Sequence, residues 1–214
     1  MNDNDIKSSR LIVGLSRFLS TVLSPLLMPS YGVFLVLWGS FLSAQEVGSR
    51  ATVLIVIFGI TCILPMFFIS ALQHLRLVSD KRLTQRQERF YPYLFSLLCY
   101  VGACLYLARV HSPRWFIMFT IGGTAALLIV FIINLKWKIS AHMAGIGGIV
   151  ALIYTMHIQM LEAFNMKWVF IVSILLAGLL GTARIVLKRH DVYQVLAGAL
   201  VGYFGVKLMM TLFG

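Results

Sequence analysis

Between two apolar runs the chain reads Gly181-Thr182-Ala183-Arg184-Ile185-Val186-Leu187-Lys188-Arg189-His190-Asp191-Val192-Tyr193-Gln194. Arg184, Lys188, Arg189 and His190 fall where a membrane helix would leave the bilayer. Fixed positive charge beside an imidazole is equipment for holding a phosphate and attacking it, because guanidinium forks match phosphate oxygens and the ring nitrogen is a nucleophile. The same residues have a plainer use, since Lys and Arg at helix ends snorkel to lipid headgroups. Two earlier loops bear on the choice. Arg82 and Arg89 are separated by six residues, Ser140-Ala141-His142 sets a hydroxyl two residues before a second histidine, and Arg184 and His190 are separated by five.

The elements that must position these residues are membrane helices. Of 214 residues, 60% are hydrophobic and only 12% charged, about half the charge of a soluble domain, so the chain lacks the polar surface to solvate a globule. The apolar residues come in long blocks, and a spanning helix needs roughly 20 of them. The expectation is an all-α polytopic bundle of six to seven spans forming one domain over residues 1–214. Leu11–Met28, broken by Arg17, Pro25 and Pro29, reads as an interfacial or half-buried lead-in. Spans are expected at about Ser30–Leu42, Ala51–Leu72, Tyr91–Ala108, Trp115–Leu135, Met143–Met160, Trp168–Leu187 and Val192–Phe213. The amino end lacks the basic start of a cleavable signal peptide and is read as part of the mature chain.

Two spans separate the loop ending at Arg89 from the linker holding His142, and two more separate that linker from His190. An even number of crossings returns the chain to the same face, so the three loops are expected at one membrane surface. The net charge of +11 sits at the ends of hydrophobic blocks, with no basic face carrying interleaved aromatics. A membrane and an anionic substrate explain it better than nucleic acid. Lys and Arg are concentrated on the side of the three loops, and the positive-inside rule then places that side in the cytoplasm of a cell whose inner membrane carries the protein. Cys62, Cys99 and Cys104 form no metal or disulfide spacing, and no acidic or Cys/His cluster suggests a metal or cofactor. His74 reads as a solvated helix end and His157 as an interhelical hydrogen-bonding group. Gly198 and Gly202 form a small-xxx-small pair that suits close packing inside the monomer or in a homo-oligomer.

In order, these loops resemble the type 2 phosphatidic acid phosphatase superfamily, the integral-membrane lipid phosphatases, over about Asp80 to Gly202. That family's signature is Lys, six residues, Arg-Pro; then Pro-Ser-Gly-His; then Ser-Arg, five residues, His, three residues, Asp. The resemblance implies that His190 is the nucleophile, forming a phosphohistidine. It implies that His142 is the acid that protonates the leaving lipid alkoxide and then the base that activates water. Arg89 and Arg184 would clamp phosphoryl oxygens, Arg82 would stand for the family's Lys, and Ser140 would add a donor at a helix start. No metal is implied.

The chain departs from the signature where Phe90 follows Arg89, where Ile139 and Ala141 flank Ser140, and where Gln194 replaces the family's Asp. Helical spacing would put Gln194 on the face of His190, where its carbonyl can accept a ring N–H. Asp191 points elsewhere on an ideal helix, and Glu88 or Asp80 could serve instead. The expected activity is hydrolysis of a phosphomonoester or terminal diphosphate on a membrane lipid. Phosphatidic acid, phosphatidylglycerol phosphate, a polyprenyl diphosphate and a lipid A phosphate all remain open as substrates. The alternatives are a non-catalytic lipid-binding or transport protein on the same scaffold, favoured by Gln194, and a structural protein whose basic loops only set topology.

Overall fold

Within a bilayer every backbone N–H and C=O must find a partner inside its own segment, which leaves apolar blocks of this length one open-chain solution, the helix. The computed structural model describes residues 3–77 and 87–214, with side chains from residue 10 onward. It is all-α, with no strand among the described residues beyond a single bridge between Ser40 and Glu162. Arg82 and Asp80 lie outside the described residues. The helices are α1 (Asp3–Val22), α2 (Met28–Gly39), α3 (Val47–Phe58), α4 (Leu64–His74), α5 (Phe90–Arg109), α6 (Arg114–Asn134), α7 (Ala141–Ile158), α8 (Lys167–Val186) and α9 (Val192–Phe213).

Six helices among the described residues are long and apolar enough to cross a membrane, and the chain is an integral membrane protein. One of the six is α3 and α4 together, continuous through a π-turn at Gly59–Ile63. Two expectations change at the amino end. The lead-in is a regular helix from Asp3 to Val22 that packs on α8, and it stops before Pro25. The first expected span yields only the 12-residue α2, too short to cross alone. It ends where the Gly39 carbonyl accepts from Ala163 N–H and the Leu161 carbonyl accepts from Phe41 N–H, which ties the chain to the loop after α7 instead of extending the helix.

The axis of the bundle is α7: 56% of its apolar stretch is buried, against 22–33% for the other spans. Its sequence explains why, since Ala144, Gly145, Gly147, Gly148 and Ala151 leave room for neighbouring backbones. A Cβ at Gly198 would collide with the Ser140 carbonyl, one at Gly202 with the Ala144 carbonyl, and one at Gly147 with the Ala199 carbonyl. Backbone therefore touches backbone along the α7–α9 seam, the close approach that small residues permit in membranes. The small-residue pair on α9 is thus used inside the chain. On the other flank, Gly145 admits Met28 of α2. The seam ends at the loops of interest, where Ser140 N–H donates to the Gln194 carbonyl at 3.2 Å.

Candidate active site

Each histidine of the candidate site is set by a helix terminus. The last turn of α8 carries Arg184, and the helix closes with Lys188 N–H on the Ile185 carbonyl (2.8 Å) and Arg189 N–H on the Arg184 carbonyl (3.0 Å). Lys188 takes the left-handed conformation this closure needs, at φ 52°. His190 follows at once, and Asp191 then starts α9 as its N-cap, accepting from Gln194 N–H at 2.8 Å. The five-residue interval between Arg184 and His190 is thus the length of one helix closure, and it leaves the imidazole within electrostatic range of the guanidinium. On the second loop, Ser140 is the N-cap of α7, its Oγ accepting from Met143 N–H at 3.4 Å. His142 stands in the first turn of that helix.

These loops meet. Arg89, at the start of α5, donates from Nη1 to the Ile139 carbonyl at 3.5 Å, crossing from the first loop to the second. Arg89, Arg184 and His190 are buried, at 6%, 9% and 7% exposure. His142 lies within electrostatic range of Arg184, His190 and Arg89, and His190 within range of Arg184, Arg89 and Lys138. The structure thus places His142, His190, Arg89 and Arg184 together at one end of the bundle. Ser140 lies behind them, wholly buried, with its oxygen engaged by the helix cap.

His190 is held by Gln194, with ring Nδ1 and the amide Oε1 at 2.9 Å. The amide nitrogen of Gln194 in turn donates to Asp191 Oδ2 at 2.8 Å. Asp191 does not touch the His190 ring, as expected, and reaches it only through Gln194. As an N-cap it is extended, at φ −87° and ψ 175°, so its carboxylate turns back over the first turn of α9. Asp191 was legible as a cap from its type and place before an apolar run, but its link to His190 through Gln194 was not.

His142 Nε2 lies 3.1 Å from the Ser20 carbonyl in the last turn of α1. A carbonyl only accepts, so the proton sits on Nε2 and the lone pair on Nδ1. Ser20 had no signal in the sequence, because the contributing group is main chain. His157 also departs from expectation. Its Nδ1 pairs with Glu162 Oε1 at 3.0 Å, in the loop that follows its own helix, because Glu162 is tied back there by accepting from Met166 N–H. His74 is exposed at the end of α4.

The site is electropositive. Burial pushes the Lys138 amine below its usual range, and Arg89, Arg189 and Arg184 push it the same way. Burial pushes His190 down from 6.5 to about 3, opposed by the Gln194 hydrogen bond and reinforced by Arg184, Arg89 and Lys138. His190 is therefore neutral at pH 7, and with Nδ1 donating to Gln194 its Nε2 keeps a lone pair. Arg184 Nε is buried and finds no hydrogen-bond acceptor among the described residues. A buried cationic donor left unmet is costly, and an anion would satisfy it. An apolar cavity of about 90 Å³ is lined by Ala141 and Ala144 of α7 together with Met28, Tyr100, Phe119 and Val206. No family model, no curated protein and no solved structure matches this chain.

Proposed function

We propose that this chain is a membrane lipid phosphatase of the type 2 phosphatidic acid phosphatase kind, hydrolysing a phosphomonoester or terminal diphosphate through a phosphohistidine. The observation that carries the reading is the buried Arg184 guanidinium, its Nε unmet, among like charges and beside a histidine held by Gln194. That arrangement calls for a compact anion with several oxygens, placed against a nucleophile. The apolar cavity lined in part by Ala141 and Ala144, in the first turn of the helix that carries His142, supports the reading by offering hydrocarbon-compatible surface within the bundle.

In this mechanism the His190 Nε2 lone pair forms the N–P bond as the P–O ester bond breaks. The departing electron pair stays on the lipid oxygen, which takes from His142 Nδ1 a proton first handed to it by the bound phosphate monoanion, so the ring ends neutral with its Nε2–H still on the Ser20 carbonyl. Water then attacks phosphorus and passes a proton to His142, and the N–P bond breaks with its pair returning to Nε2. Arg89 and Arg184 hold the equatorial oxygens, where transition-state charge collects. Arg82 belongs to the same proposal as a further cation.

The test is phosphate release from detergent-solubilised lipid phosphates without added metal, blocked by vanadate. His190→Ala is expected to lower turnover by about three orders of magnitude or more, as loss of a covalent nucleophile does. Intact turnover in that variant would remove His190 from the role. A second reading, a lipid-binding or transport protein on the same scaffold, draws on the engagement of His142 Nε2 by Ser20. It expects wild type and His142→Ala to bind lipid phosphates alike, with no phosphate released by either.

A further inference from the structure

Asp191 does more in this geometry than begin a helix. Its Oδ1 accepts the Gln194 N–H, the ordinary N-cap bond, while its Oδ2 accepts the Gln194 side-chain N–H, both at 2.8 Å. An ionised carboxylate can only accept, so the amide nitrogen must face Asp191 and the amide oxygen must face His190. The oxygen in turn can only accept, so His190 Nδ1 at 2.9 Å must carry the ring proton. Each link fixes the polarity of the next. Asp191 is exposed, so its Coulombic effect on the ring is weak, and what passes along the chain is donor–acceptor direction.

We propose that Asp191 is a positioning residue which, through the Gln194 amide, holds His190 in the tautomer that leaves Nε2 unprotonated and able to attack phosphorus. This rests on the lipid phosphatase reading for its consequence, though the tautomer itself does not. A two-link relay would let this chain do with Gln194 and Asp191 what a carboxylate touching the ring does directly. It also gives Gln194 a use that a non-catalytic protein would not need.

The structural alternative is that Asp191 only caps α9, and the two can be separated. In Asp191→Asn the cap survives, because Asn is as good an N-cap as Asp. The Oδ1 of the new side chain keeps the backbone bond and its Nδ2 now faces Gln194. The Gln194 amide must turn over, presenting N–H to the ring, and the proton moves to Nε2. Adding Gln194→Glu restores the direction: the introduced asparagine amide donates to one carboxylate oxygen, and the other accepts from His190 Nδ1.

The experiment uses the full chain in detergent or nanodiscs, with phosphatidic acid, phosphatidylglycerol phosphate, a polyprenyl diphosphate and a lipid A phosphate each offered as substrate and the His190 ring nitrogens read by 15N NMR, assigned against His190→Asn. The wild type is expected with the proton on Nδ1, and Asp191→Asn with it on Nε2 and an unchanged melting temperature. Phosphate release should fall about 100-fold or more in Asp191→Asn, up to the roughly 10⁴-fold lost when a catalytic histidine takes the wrong tautomer, and the double variant should recover to within about tenfold. An Asp191→Asn protein with the wild-type tautomer overturns the proposal, as does a double variant no better than the single. If the tautomers follow this pattern while no variant, wild type included, releases phosphate, the relay stands and the phosphatase reading falls.

Discussion

In the proposed mechanism Arg184 is the residue on which the chemistry turns, because it brings a charge into a site where burial makes an unmet donor expensive. Replacing it with Gln removes that charge while keeping much of its length. We expect Arg184→Gln to lower phosphate release about 100- to 1,000-fold, the cost of removing one preorganised donor from a transition-state site. We also expect it to abolish any rise in melting temperature caused by vanadate, with the exposed Lys136→Ala unchanged in both assays. His190 makes a second residue-scale claim. Its folded value of about 3 lies below the ordinary 6.5, so between those limits the unfolded chain binds a proton that the folded chain refuses. Its contribution to stability is then complete above about pH 6.5 and lost as pH falls toward 3. Thermal unfolding in detergent should show a steeper acid loss for wild type than for His190→Asn, which cannot titrate there. Parallel curves would mean that His190 is not held neutral by the fold.

At the scale of elements, the site is a by-product of how α7 and α9 meet. Gly147, Gly198 and Gly202 let the two backbones touch, and the seam delivers Ser140 to Gln194 and so the His142 loop to the His190 loop. A side chain inside the seam must push the helices apart. We expect Gly202→Leu to destabilise the protein by about 1–3 kcal/mol or more, as overpacking does, and to weaken phosphate release with it. Gly178 on α8 has nothing within 4 Å of an added Cβ, so Gly178→Leu should leave both properties near wild type. Equal effects in the two variants, seen by melting temperature, would show that the seam does not hold the site together. The α8 closure matters in the same way, since the turn through Lys188 sets the interval between guanidinium and imidazole. The Ser20 carbonyl adds α1 to the elements that orient the site, with Nε2 of His142 as the point of contact.

At the scale of the molecule, six of the helices among the described residues are long enough to span, and the last of them carries Gly214 one crossing away from His190. On the site face the span ends bring Arg76, Arg89, Lys136, Lys138, Arg184, Lys188 and Arg189. The opposite face has Arg50, Arg109, Arg114 and Lys167. By the positive-inside rule we propose that the site is cytoplasmic. A phosphatase reporter fused after Gly214 should then be active outside the cytoplasm, and a fluorescent protein fused there should stay dark; the reverse pattern would turn the whole bundle over. Arg50 shows that a basic residue need not mark a headgroup contact. It is buried at the far end, stacked 5.0 Å from the Trp38 ring and donating to the Leu37 carbonyl.

The sequence alone determined the class of fold and the gathering of Arg89, His142 and His190 at one end of the bundle. Both follow from quantities that add along a chain: the length of each apolar block and the parity of crossings. Helix starts at Ser140 and Asp191 were equally local, since each is a capping residue before an apolar run. Tertiary structure alone decided which groups touch which. Asp191 joins His190 only because Gln194 bridges them, and His142 meets Ser20 only because α1 lies against the bundle. Such contacts depend on where two distant backbones are held within an ångström, and main-chain partners such as the Ser20 and Ile139 carbonyls carry no residue type for a sequence to display.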